Sequence, residues 1–79
     1  MSTCYKINPP IPVGDFKHPV DEKGVVEIDN NFIHLDIFNG KITGFTRYGA
    51  NNPDNLIQEL QAIGSKSISE HEEEFYDEN

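Results

Sequence analysis

The sequence predicts an α+β fold: a three-stranded antiparallel meander, one helix packed on one face, and a fourth, weaker C-terminal strand, in the order βββαβ. Three observations carry this reading. Asn39-Gly40 lies between two runs rich in β-branched and aromatic residues, the strongest short-range hairpin signal there is. A second pair, Asn30-Asn31, stands before the first of those runs, and asparagine tolerates the positive φ that tight turns need. Downstream, NNPDNLIQELQAIG carries start and stop marks for a helix.

With 79 residues the chain is one domain at most. Such a domain buries only roughly 60% of the surface its unfolded chain exposes, so its core is thin. Cys4 is the single cysteine, which excludes an intrachain disulfide. A lone thiol with no apolar segment behind Met1 points to the reducing cytoplasm, and no apolar run is long enough to span a membrane.

Residues 1–24 hold four of the five prolines. Proline removes an amide donor and restricts the residue before it, so INPPIPVGD reads as an extended arm rather than a helix or a central strand. A short edge strand at Cys4 to Ile7 fits within it. The core then spans 25–69, and 70–79 form an acidic tail.

Within the core, a two-residue turn at Asn30-Asn31 pairs Asp29 with Phe32, Ile28 with Ile33 and Val26 with Leu35. A turn at Asn39-Gly40 pairs Phe38 with Lys41, Ile37 with Ile42, Leu35 with Gly44 and Ile33 with Thr46. Both turns place Val26, Ile28, Ile33, Leu35, Ile37 and Ile42 on one side. Slipping either hairpin by one residue scatters that set, so the two turns support each other.

The helix has Asn52 as N-cap, Pro53 at the first helical position and Asp54 where the helix dipole favours an anion. Leu56, Ile57, Leu60 and Ile63 form one stripe, and Gly64 closes the helix. At about three turns it is too short to persist alone in water, so its stripe must pack on the sheet. Gly44 is read as leaving room for that approach. SKSISEHE supplies the fourth strand around Ile68.

The same register sends Glu27, Phe32, His34, Asp36, Phe38, Lys41, Thr43, Phe45 and Arg47 to the other face. Solvated faces of antiparallel sheets are mostly polar, and three phenylalanines are too many for one. Either the proline arm, through Ile7, Ile11 and Val13, folds across this face, or the face receives a partner.

Charge narrows the kind of partner. The net charge is −8, yet residues 1–69 carry 8 acids and 6 bases. Glu70, Glu72, Glu73, Glu74, Asp77 and Glu78 hold the remaining excess, and no Lys or Arg follows Lys66. Direct nucleic-acid binding needs the opposite sign. The tail SEHEEEFYDEN is either a solvating extension or a segment whose Phe75 and Tyr76 dock, on the body as part of the fourth strand or into a partner.

Chemistry finds little support. His18, His34 and His71 lie in separate segments, and with Cys4 none has the close spacing of a structural zinc site. No nucleophile stands by an oriented base, and NGKITG lacks the pattern of a phosphate loop. A Glu27–His34 pair across strands is a plain polar pair unless a pocket desolvates it. No catalysis, cofactor, metal or direct nucleic-acid binding is therefore expected.

The expected role is that of a small acidic, non-catalytic protein-binding module. In its concrete form it is an inhibitor or immunity-type protein that occupies a basic, nucleic-acid-handling partner. Phe32, His34, Phe38, Phe45, Arg47, Glu72, Glu73, Glu74, Phe75 and Tyr76 are the candidate contact residues. The alternatives are a self-associating homodimer module and a small-molecule or metal-binding accessory using His34 and Glu27. The element order recurs in many unrelated small proteins, so it assigns no function by itself.

Overall fold

The computed structural model describes residues 2–49 and 51–73, the last three as main chain. It is an α+β domain with an antiparallel five-stranded sheet and one helix. The strands are β1 (Ser2–Pro12), β2 (Val25–Ile28), β3 (Asn31–Phe38), β4 (Lys41–Tyr48) and β5 (Ser67–Glu73), and α1 spans Asp54–Ala62. A 3-10 turn, Val13–Asp15, follows β1. The order across the sheet is β2-β3-β4-β1-β5. Among the described residues no helix is long and apolar enough to cross a membrane.

The expected meander is present as β2, β3 and β4, and both of its turns lie in the left-handed region. Asn39 and Gly40 have φ of 53° and 76°, as a type I′ hairpin requires. The first turn falls one residue earlier than expected. Asp29 and Asn30 take it, with φ of 53° and 65°, so Ile28 pairs with Asn31 and Val26 with Ile33. The pairing has moved by two residues in total, which preserves the face of every side chain. Asn31 is thereby released to bridge: its Nδ2 donates to the Ile28 and Asp29 carbonyls, and its Oδ1 accepts the Asn52 amide.

The larger correction lies in β4. Phe38 pairs with Lys41 and Ile37 with Ile42 as expected, but Asp36 then pairs with Gly44 and Leu35 with Phe45. One extra residue at Thr43–Gly44 makes a bulge, and beyond it every β4 side chain changes face. Phe45 consequently points into the core, fully buried beside Leu35 and stacked on Tyr5 with ring centroids 4.5 Å apart. Arg47 moves with it to the row of Ile33, where its guanidinium donates to the Gly49 carbonyl and to Thr3 Oγ1. Thr46 and Tyr48 move the other way.

Gly44 also has a different purpose from the one expected. A Cβ built there would lie 2.2 Å from the Tyr5 carbonyl oxygen, so the neighbour that needs the space is the backbone of β1, not the helix. Glycine inside a strand often marks a bulge or a close backbone approach, and here it marks both.

The N-terminal segment is no separate arm. β1 is an inner strand, paired with β4 at Ser2–Lys6 and with β5 at Ser2–Asn8. Pairing with β4 breaks after Lys6 and resumes at Ile11. Pro9 and Pro10 occupy the gap, where no ladder asks them for an amide, and they are exposed. Ile7 and Ile11 are buried with the core and Val13 packs against it, so these residues do not cover the opposite face.

The expected fourth strand forms as β5, with Ile68 opposite Ile7. In α1, Leu56 and Leu60 are buried and Ile57 and Ile63 pack on the same cluster, as their spacing predicts. The cap position falls on Pro53, one residue later than expected, and carries no side-chain capping bond; Asn52 instead makes a local turn, its Oδ1 accepting the Asp54 amide. At the other end Gly64 has φ of 130°, and the Ser65 amide donates back to the Leu60 carbonyl.

Candidate functional site

The face turned away from α1 is built from alternate residues of the strands. Val25 and Glu27 come from β2, and Phe32, His34, Asp36 and Phe38 from β3. Lys41, Thr46 and Tyr48 come from β4, and Cys4 and Lys6 from β1. Among the described residues the exposed large apolar side chains are Phe32 (53%), Phe38 (68%), Tyr48 (50%) and Ile37 (42%). Ile37 shares a row with buried Ile42 and Ile11, but it stands at the sheet end and does not bury as expected.

Phe32 and Tyr48 form the denser group. Phe32 pairs with Glu27, and continuing the register from Ile33–Arg47 brings Tyr48 opposite Phe32. Tyr48 in turn pairs with Ser2, and Ser2 with Glu73 at the end of β5. β5, which carries the first acids of the C-terminal segment, therefore ends at the strand end that carries the exposed rings. Lys41 and Phe38 stand at the opposite end of the face.

Beside Phe32 lies an open groove of about 370 Å³, lined by Pro19, Val20, Asp21, Val25, Glu27 and Phe32. Its far wall is a tight loop. Asp21 Oδ1 accepts the amides of Lys23 and Val25, the Gly24 amide donates to the Asp21 carbonyl, and the Gly24 carbonyl accepts the Leu35 amide. The Val25 amide, with smaller contributions from Lys23, holds the Asp21 carboxyl below its usual range. Asp21 thus stays ionised, and a buttressed loop fixes the position of its charge.

Of the expected contact residues, Phe32, His34 and Phe38 are on this face. Phe45 and Arg47 are not, because the bulge carries them to the other side. His34 is half-buried, opposite Thr46 and Val25 rather than Phe45 and Glu27, with its ring against Gly24. The Glu27–His34 cross-strand pair is therefore not formed. Glu72 and Glu73 belong to β5 as main chain, while Glu74, Phe75 and Tyr76 fall outside the described residues.

Two components escaped the sequence reading: Tyr48, and the Pro19-Val20 stretch that lines the groove with Val25. A bulge-aware reading of Gly44 exposes the first, since it inverts the parity of everything after Thr43. The second depends on a loop path that no periodicity encodes. Among the described residues no group of three His, Cys, Asp or Glu side chains is placed to hold a metal ion. Comparison with family models, with curated proteins and with solved structures gave no match for this chain.

Proposed function

We propose that this chain is a small acidic, non-catalytic protein-binding module whose target is a protein with a basic surface. The observation that supports it most is the half-exposed Phe32 and Tyr48 at the strand end where acid-rich β5 ends. Exposed rings with a polar rim are the usual composition of an interaction site, and aromatic anchors dominate binding energy once water is excluded. The surrounding carboxylates steer a basic partner and raise its association rate. A partner that handles nucleic acid fits best, because carboxylates can then stand where phosphates would, giving an inhibitor or immunity-type role. A cytoplasmic setting accords with the single cysteine.

Self-association on the same face is the weaker reading, since it would bring two acidic ends together. The test is capture of the partner from native lysate by the intact chain, followed by measurement of the purified complex. The affinity is expected to fall steeply from low to high salt, and Phe32→Ala or Tyr48→Ala should weaken the complex while leaving the fold intact. An affinity indifferent to salt would remove the charge-based reading.

A further inference from the structure

The groove beside Phe32 has a composition that selects one kind of side chain. Its floor and one wall are apolar, from Val25, Pro19, Val20 and the half-exposed Phe32 ring. Both of its ionisable groups are carboxylates, Asp21 and Glu27. Glu27 lies directly across the strand pair from Phe32. Asp21 uses Oδ1 for both loop amides, which fixes the carboxylate in the opposite wall. Lys23 lies near Asp21 but lines the neighbouring groove with His34 and Asp36.

We infer that this groove is an arginine subsite, taking one arginine side chain of the basic partner with its guanidinium over Phe32 and between Glu27 and Asp21. A planar guanidinium stacks on an aromatic face and offers a fork of donors to a carboxylate, while its methylene stem lies along apolar surface. An ammonium offers neither the plane nor the fork, so lysine is the poorer occupant. A second copy of this chain is disfavoured, because its acids would face Glu27 and Asp21.

This inference rests on the basic-partner reading, and two peptides of equal charge separate the two. Octa-arginine and octa-lysine are titrated at low salt into the full chain, with amide chemical shifts as the readout. Octa-arginine should bind more tightly and shift the amides of Val20, Val25, Glu27 and Phe32. Phe32→Ala should reduce its affinity roughly two- to fivefold, the range for an exposed cation–π contact. It should weaken octa-lysine less, and Glu27→Gln should likewise cost octa-arginine more than octa-lysine. Equal affinity for the two peptides, or shifts confined to β5, would overturn the arginine subsite while leaving the basic-partner reading standing. If neither peptide binds, both readings fall.

Discussion

Phe45→Ala is expected to destabilise the domain by about 3–5 kcal/mol, the cost of emptying a phenylalanine site in a core that cannot collapse around it. Phe45 is fully buried and shares its cluster with Tyr5, Leu35, Leu56 and Leu60, elements drawn from three strands and the helix. Ordinary domains are stable by only about 5–15 kcal/mol, and a small one lies low in that range. The variant should therefore be largely unfolded or show a much lower urea midpoint. Phe32→Ala is the paired control. Its ring is 53% exposed, so its loss should move the midpoint little, within about 0.5 kcal/mol. Two phenylalanines that the unbulged register puts on one face should thus differ greatly in cost. Equal and small costs for both would mean that Phe45 is not in the core.

Gly44→Ala is expected to cost roughly 3 kcal/mol, the upper part of the range for overpacked sites. The reason is steric and not conformational, because Gly44 does not have a positive φ. The new methyl would meet the Tyr5 carbonyl oxygen at 2.2 Å, a main-chain atom held between two strands that cannot rotate aside. Relief requires β1 to move away from β4, opening the ladder on which Tyr5 and Phe45 stack. Gly14→Ala is the control: nothing lies within 4 Å of its added Cβ, and its φ is not positive. That variant should unfold in urea within about 0.5 kcal/mol of the parent. Coincident curves for the Gly44 and Gly14 variants would show that β1 does not approach β4 as described.

Local chemistry explains which parts of the fold could be read directly. Asn39-Gly40 and Gly64 each meet a backbone requirement within a few residues of themselves and are found in their expected roles, whereas Asn52 stands one residue before the cap, which falls on Pro53. The first hairpin moved because three residues in succession, Asp29, Asn30 and Asn31, all suit a turn. The ladder and the Asn31 bridges to Ile28, Asp29 and Asn52 decided among them. The displacement was harmless, being an even number of residues.

The bulge was not harmless, because one residue is odd. Glycine at position 44 has two readings, space for a helix or space for a strand, and only the path of β1 chooses between them. That path was hidden in turn by the prolines. The rule that excludes proline from a central strand holds residue by residue: Pro9 and Pro10 lie where the ladder to β4 is broken, while Ser2–Lys6 are paired on both sides. Long-range pairing thus decided the two features that local reading missed, and through them the composition of the exposed face. Phe32 and Phe38 kept their places because they precede the bulge. Phe45 and Arg47 lost theirs, and Tyr48 replaced them.

Cross-strand nuclear Overhauser contacts between β3 and β4 test the account most directly, because the parity of β4 determines what is core and what is surface. The bulged register predicts main-chain contacts linking Leu35 to Phe45 and Ile33 to Arg47, with ring-to-ring contacts between Tyr5 and Phe45. Contacts linking Leu35 to Gly44 and Ile33 to Thr46 would contradict it, returning Phe45 to the open face and removing Tyr48 from beside Phe32.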